Sequence, residues 1–174
     1  MTELGNKQHA LPESRPAGPP LHLGRPPRLA QIFQSYEPPL YFVTANTWQR
    51  RQLLADDSVH QAFRAYALKN AEQGRAIGRY VIMPDHLHFF ARLGGEFKLS
   101  VFVQLLKQAL TKVLKRRAEA PPFWQPGTFD HVLRNSESYA AKWQYVRENP
   151  VRADLARSAD EWPYQGEIVS IDRA

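Results

Sequence analysis

Tyr80-Val-Ile-Met-Pro-Asp-His-Leu-His-Phe-Phe-Ala-Arg-Leu93 is the stretch on which the fold of this chain turns. It is rich in β-branched and aromatic residues, the composition of a half-buried strand, and Pro84-Asp85 interrupts it with turn chemistry. Ile77 to Met83 and His86 to Leu93 are therefore expected to be two strands of a hairpin, which Gly94-Gly95 ends. Side chains of an extended strand alternate between faces, so His86 and His88 point the same way. Two imidazoles on one rigid strand make half of a divalent-metal site and need an oxygen or nitrogen ligand from elsewhere.

On the N-terminal side, Leu40 to Trp48 reads as another strand. Asp56, Asp57 or Ser58 can cap the helix that follows, in which Val59, Ala62, Phe63, Tyr66, Ala67 and Asn70 repeat at helical spacing until near Gly74. Further back the character changes. Eight of the fourteen prolines fall at or before Pro39, and Pro-rich chain neither forms ladders nor buries a core. Residues 1–38 are thus expected to be a disordered or extended tail, and 39–174 a single folded domain.

On the C-terminal side, Ser100 to Arg117 is the longest expected helix, with Val101, Phe102, Leu105, Leu106, Ala109, Leu110, Val113 and Leu114 as its apolar stripe. Its other side carries Gln104, Lys107, Gln108, Thr111, Lys112 and Lys115, and no acidic residue occurs between Phe97 and Ala118. Such lysines are either a solvated face or a phosphate-binding one. A Pro- and aromatic-rich loop, Pro121 to Gly127, leads to a short strand over Thr128–Leu133. A helix then runs from Ser136 to Asn149, where Pro150 forbids continuation. Beyond Leu155 the chain is polar and turn-rich, with Trp162-Pro-Tyr164 packing back as an anchor.

Composition narrows the function. No apolar run approaches the ~18 residues of a membrane span. The chain has no cysteine, hence no disulfide or thiolate chemistry, and no secretory signal is visible in Met1 to Lys7, so a cytoplasmic location is expected. A net charge of +6 favours an anionic partner, nucleic acid first.

Within the last long helix, Lys142, Tyr145 and Asn149 recur at spacings of three and four, which sets them on one face. Asn149 offers an amide oxygen and Tyr145 a phenol. If that face meets the His86/His88 face of the sheet, a His-His-Asn site for Mg2+ or Mn2+ forms beside a tyrosine hydroxyl, a set suited to phosphoryl transfer. A phenol of pKa ~10 is a weak nucleophile at neutral pH, and either the metal or the Lys142 ammonium favours phenolate. Lys142 serves equally well to neutralise phosphate. Each piece also has a plainer reading: histidines as strand residues, Tyr145 as a surface aromatic, Asn149 as a helix C-terminus.

Together these residues resemble a known family. Tyr80 to His88 is similar to the His-hydrophobic-His motif of HUH-superfamily single-tyrosine transposases, and Tyr145-Val-Arg-Glu-Asn-Pro-Val-Arg-Ala153 to their tyrosine helix. Met83-Pro-Asp-His86, Phe123-Trp-Gln-Pro-Gly127, Phe129-Asp-His131 and Asn149-Pro-Val151 resemble most the REP-associated tyrosine transposases, bacterial proteins that act on repetitive extragenic palindromes. The likeness runs from about Leu40 to Leu155. It implies an α+β fold, a ferredoxin- or RRM-like antiparallel sheet flanked by helices. It further implies Tyr145 as nucleophile, His86, His88 and Asn149 as metal ligands, and single-stranded or hairpin DNA nicked and rejoined through a covalent 5′-phosphotyrosine. Thr128 departs from the pattern where an aromatic is common, and Asp154 where glycine is usual.

Two other functions fit parts of the pattern. One is a non-catalytic RRM-like module whose sheet stacks bases on residues such as Phe90 beside Arg92. The other is a zinc hydrolase that adds Asp85 or Asp130 to the histidine pair. Lys107, Lys112, Lys115, Arg134, Lys142 and Arg152 are candidate DNA contacts from charge and placement. The resemblance allows a monomer or a homodimer, with no membrane partner.

Overall fold

The computed structural model describes residues 38–133 and 136–171. The expectation of a disordered tail over 1–38 therefore falls almost wholly outside the described residues, as does Arg134. Five strands form one antiparallel sheet in the order β4-β1-β3-β2-β5, where β1 is Leu40–Asn46, β2 Arg75–Ile82, β3 His86–Leu93, β4 Phe129–Leu133 and β5 Gln165–Glu167. Helices α1 (Asp57–Ala71) and α2 (Leu99–Arg116) cover one face, and α3 (Ser136–Arg147) lies on the other. The first four strands with α1 and α2 make the expected ferredoxin-like α+β arrangement. Among the described residues no helix is long and apolar enough to cross a membrane.

The larger core lies under α1 and α2. Asp56 caps α1 by accepting from the backbone N–H of Ser58 and Val59, and Val59, Phe63 and Ala67 then face the sheet. In α2 the buried residues are Phe102, Val103, Leu106, Leu110 and Leu114. That corrects the expected stripe: Val101 and Leu105 are 40% and 42% exposed, while Val103, left out of it, is buried. The apolar arc of α2 is wider than the surface its neighbours cover.

The β2–β3 turn is held from several sides. Met83 N–H donates to His86 C=O at 2.8 Å, and Leu53 and Leu54 N–H both donate to Pro84 C=O. The fully buried Thr47 donates its N–H to Asp85 C=O, and its hydroxyl lies within hydrogen-bond reach of Asp85 C=O and Arg51 C=O. Asp85 and His86 thus stand on a fixed turn rather than a mobile tip.

Two features of the C-terminal part depart from expectation. The helix from Ser136 stops at Arg147, and after Glu148 the chain resumes a short helix, α4 (Asn149–Arg152). Pro150 sits in its first turn, where the missing N–H is unneeded, so Asn149 opens a helix instead of closing one. Asp154 follows with φ 54, a left-handed conformation that glycine adopts freely and Asp tolerates, which explains the departure there. The polar segment past Leu155 also supplies a strand, β5, with Arg79 opposite Glu167 and Val81 opposite Gln165. Trp162 anchors it as expected, 9% exposed and donating Nε1–H to Ile82 C=O at 2.9 Å.

Candidate active site and nucleic-acid interface

Strand β3 splits its side chains as alternation demands. Leu87, Phe89, Ala91 and Leu93 enter the α1–α2 core, and His86, His88, Phe90 and Arg92 face α3. The imidazoles of His86 and His88 are edge to face with centroids 4.7 Å apart. His86 Nδ1–H donates to Asp85 Oδ1 at 2.6 Å. His88 Nδ1 is hydrogen-bonded to Thr44 Oγ1 at 2.8 Å, across the β1–β3 pair, and its ring stacks on Phe42. With each Nδ1 so engaged, Nε2 is the nitrogen left to accept a ligand on both rings, and the carboxylate behind His86 raises its donor strength.

Electrostatics keep both rings neutral. Burial pushes the His86 pKa down, against the opposing pull of Asp85. For His88 burial comes first, followed by the nearby charges of His86, Arg50, Lys142 and Arg152, and together they lower it to about 3. A neutral imidazole is the form that binds a metal. The same cations make the surroundings attractive to an anion.

The tyrosine helix lies across this face. Tyr139, Trp143 and Val146 form its sheet side, with Tyr139 against Phe90 at 4.5 Å between ring centroids. Tyr139 is 1% exposed and Tyr145 65%, so only Tyr145 presents its ring to an incoming strand. The expected packing face, Lys142/Tyr145/Asn149, is therefore rotated outward from the sheet. Lys142 reaches back to the histidine side, its ammonium 5.3 Å from the Phe42 ring. Arg152 ties the break between α3 and α4 together. Its guanidinium lies over the Tyr145 ring at 4.3 Å, donates to Tyr145 C=O at 2.6 Å and hydrogen-bonds Asn149 Oδ1. The oxygen expected to bind metal is thus held by Arg152, whose charge His88 also feels.

Residues not singled out in the sequence complete the site. Arg50 pairs with Asp85 (Nε to Oδ2, 2.7 Å) and donates to Asn46 Oδ1 at 2.7 Å. Its Nη2 is 3.3 Å from His86 Nδ1, a neighbour rather than a second partner because that N–H is given to Asp85. Gln49 and Arg50 both have positive φ, 50 and 58, the local strain that folds Arg50 back over the turn. Phe129, 64% exposed and paired with Thr44, adds an open aromatic to the histidine face. Left-handed backbone at two non-glycine residues gives no signal in composition. Phe129 was visible only as part of a motif.

Several expectations are corrected. Phe90, proposed as an open stacking platform, is fully buried under Tyr139 and Trp143. Lys107 is partly buried and donates to Gly127 C=O at 2.7 Å and Gln125 C=O at 3.3 Å, while Trp124 Nε1–H donates to Thr111. That side of α2 fastens the 123–127 loop. Lys112 and Lys115 remain exposed. Among the described residues no group of three or more His, Cys, Asp and Glu converges to hold a metal, and Asp85, offered as a zinc ligand, is hydrogen-bonded to His86 Nδ1 instead.

Known proteins share the fold. A REP-associated tyrosine transposase of Escherichia coli (strain K12) is 24% identical over 125 residues, which cover 71% of this chain and 73% of that protein. A solved REP-associated tyrosine transposase bound to a REP hairpin superposes with a TM-score of 0.61 at 25% identity, over 73% of this chain and 75% of that one. Residues 40–149, from the first strand to the candidate ligand that opens α4, match the family described as Transposase IS200 like, and the chain belongs to that family.

Proposed function

We propose that this protein nicks and rejoins single-stranded DNA at a hairpin, of the palindromic-repeat kind that the REP-associated relatives are named for. His86, His88 and Asn149 would hold Mg2+ or Mn2+. The residues fit the ion in kind: two imidazoles with their Nδ1 engaged, and the amide oxygen of Asn149, which Arg152 holds here. When bound, the ion polarises the scissile phosphate. Tyr145 Oη attacks phosphorus, losing its proton, and the P–O3′ bond breaks. The products are a 5′-phosphotyrosine and a 3′-hydroxyl that gains a proton, and a second 3′-hydroxyl reverses the step. Arg50, Lys142 and Arg152 neutralise phosphate charge around the reacting centre.

One observation carries this reading. The exposed Tyr145 stands on α3, and the cations beside it, Lys142 on α3 and Arg152 on α4, are felt by the half-buried His88 of β3. Strand cleavage is tested by incubating labelled hairpin strands with Mg2+ or Mn2+ and resolving the products under denaturing conditions. A protein–DNA adduct is expected for the wild type and none for Tyr145→Phe. An adduct that survives the substitution sinks the nucleophile. Phe129, open on the same face, favours a second reading in which the sheet binds single strands without chemistry. Tight binding across many hairpins with no cleavage selects it.

A further inference from the structure

Gln49 and Arg50 carry the left-handed backbone of the site, yet both side chains are exposed, so their own burial does not hold them in that conformation. We propose that Arg51 does: its guanidinium clasps residues 119–122, keeps the pair folded back and so delivers Arg50 to Asp85 and to the scissile phosphate. Arg51 is thus a positioning residue that acts through Arg50. The part Arg50 plays toward phosphate rests on the DNA-processing reading above; the hold that Arg51 has on it does not.

The Pro- and aromatic-rich segment before β4 lies along the end of β1 like a splint. Gln125 N–H donates to Asn46 C=O at 3.0 Å, Thr47 and Trp124 form an isolated bridge, and Trp48 N–H donates to Phe123 C=O at 2.9 Å. Just past the left-handed pair, the Arg51 side chain grips the same segment. Its Nη1–H groups donate to Ala120 C=O at 2.6 Å and Pro122 C=O at 3.2 Å, and Nη2 pairs with Glu119 at 3.2 Å. A planar fork on three acceptors is a rigid clasp that no single-point ammonium reproduces. Glu119 is braced in turn by Arg117, which also reaches Asp56 and Leu53 C=O. With Trp48 fastened at 123 and Arg51 at 119–122, Gln49 and Arg50 must curl between two fixed points.

The curl has a consequence for the site. It turns the Arg50 side chain toward the β2–β3 turn, where Nε meets Asp85 Oδ2 and Nη1 meets Asn46 Oδ1, both at 2.7 Å. Arg51 itself is no phosphate contact, because both terminal nitrogens are engaged within the protein and Glu119 balances its charge. Two adjacent arginines therefore have different tasks. Arg50 faces the incoming DNA, and Arg51 gives its donors to keep Arg50 in place.

The test uses the full chain and reads Arg50 directly. Its Nε–H, donated to Asp85, gives an NMR signal that Arg50→Lys identifies and that should exchange slowly with water. Arg51→Met is expected to speed that exchange about tenfold, and Glu119→Gln, which loosens the clasp more gently, to speed it less. Glycine takes the left-handed conformation freely, so adding Gln49→Gly to Arg51→Met should restore most of the protection. The rate of adduct formation on a labelled hairpin strand with Mn2+ should fall roughly 10–100-fold in Arg51→Met, with little further loss when Arg50→Met is already present. Unchanged exchange in both Arg51→Met and Glu119→Gln, no rescue by Gln49→Gly, or a loss of rate that adds in full to that of Arg50→Met overturns the proposal and leaves the DNA reading standing. An adduct absent from the wild type, with exchange behaving as expected, overturns the DNA reading and leaves the hold of Arg51 on Arg50 established.

Discussion

Leu87, Phe89, Ala91 and Leu93, on the α1–α2 side of β3, are at most 3% exposed, whereas on the α3 side His86, His88 and Arg92 stay partly open and only Phe90 is sealed. The two faces of one strand therefore divide the work. One is dry and apolar. The other holds titratable groups a few ångströms from the same core, and its geometry is inherited from it: Thr44, Asn46 and Asp85, which orient His88, Arg50 and His86, sit on strands and a turn that the opposite face fixes. A site built this way tolerates no slip in register, because a shift of one residue would send both histidines into the core.

Neighbouring substitutions should separate the two faces. Phe89→Ala is expected to destabilise the fold by about 3–5 kcal/mol, read by chemical denaturation, since it opens a cavity among fully buried residues. His88→Ala, one residue away, should cost far less stability and abolish metal binding. Comparable destabilisation by both would break the comparison.

A smaller effect is expected behind the histidines. Asp85→Asn removes the carboxylate that orients His86 and should weaken Mn2+ affinity about 10–100-fold by calorimetry, with little change in unfolding. Unchanged affinity would show that the turn alone orients the ring.

Acid sharpens the contrast further. Folding lowers the His88 pKa to about 3, so below the unfolded value near 6.5 the unfolded chain binds more protons than the folded one. The stabilisation is complete above that pH and is lost as pH falls. The metal-free protein should lose about 1.4 kcal/mol per pH unit from this group between pH 6 and 5. His86, shifted the same way, adds to the loss. Denaturation midpoints measured from pH 7.5 to 5 on wild type and His88→Ala check the sign: a wild-type slope no steeper than the variant's would refute it.

The smallest effect concerns α2, far from either histidine. Lys112→Gln and Lys115→Gln should each weaken DNA binding uniformly and lower the salt slope by about one unit, whereas a merely solvated face would leave the slope unchanged.

What the sequence disclosed follows from how local each cause is. Alternation in β3 is settled within a few residues and is read directly from the chain, and the cap of α1 is narrowed there to Asp56, Asp57 or Ser58, of which the structure uses Asp56. The outward turn of Val101 and Leu105 depends on which neighbours cover α2, and the burial of Phe90 on where α3 lands; neither is encoded nearby. Lys107 looked like its neighbouring lysines until the loop at 123–127 closed over it. Arg50 needed two left-handed residues and a partner thirty-five positions along to be recognised. The histidine pair and the tyrosine were conspicuous in the sequence. The hydrogen-bonded shell behind the pair and the latch across Asn149 were not.

Gly78 stands in the irregular part of β2, where a Cβ would come within 2.5 Å of Ile171 Cγ1 and 2.6 Å of its Cδ1. The last described residue of the chain thus occupies the volume that the absent side chain leaves. The two positions are sterically coupled: a methyl at 78 requires the Ile171 side chain to move, whereas a smaller residue at 171 leaves a hollow that alanine at 78 would fill. Across descendants of this gene, bulk at these two sites should therefore trade off, with large residues at 171 accompanying glycine at 78.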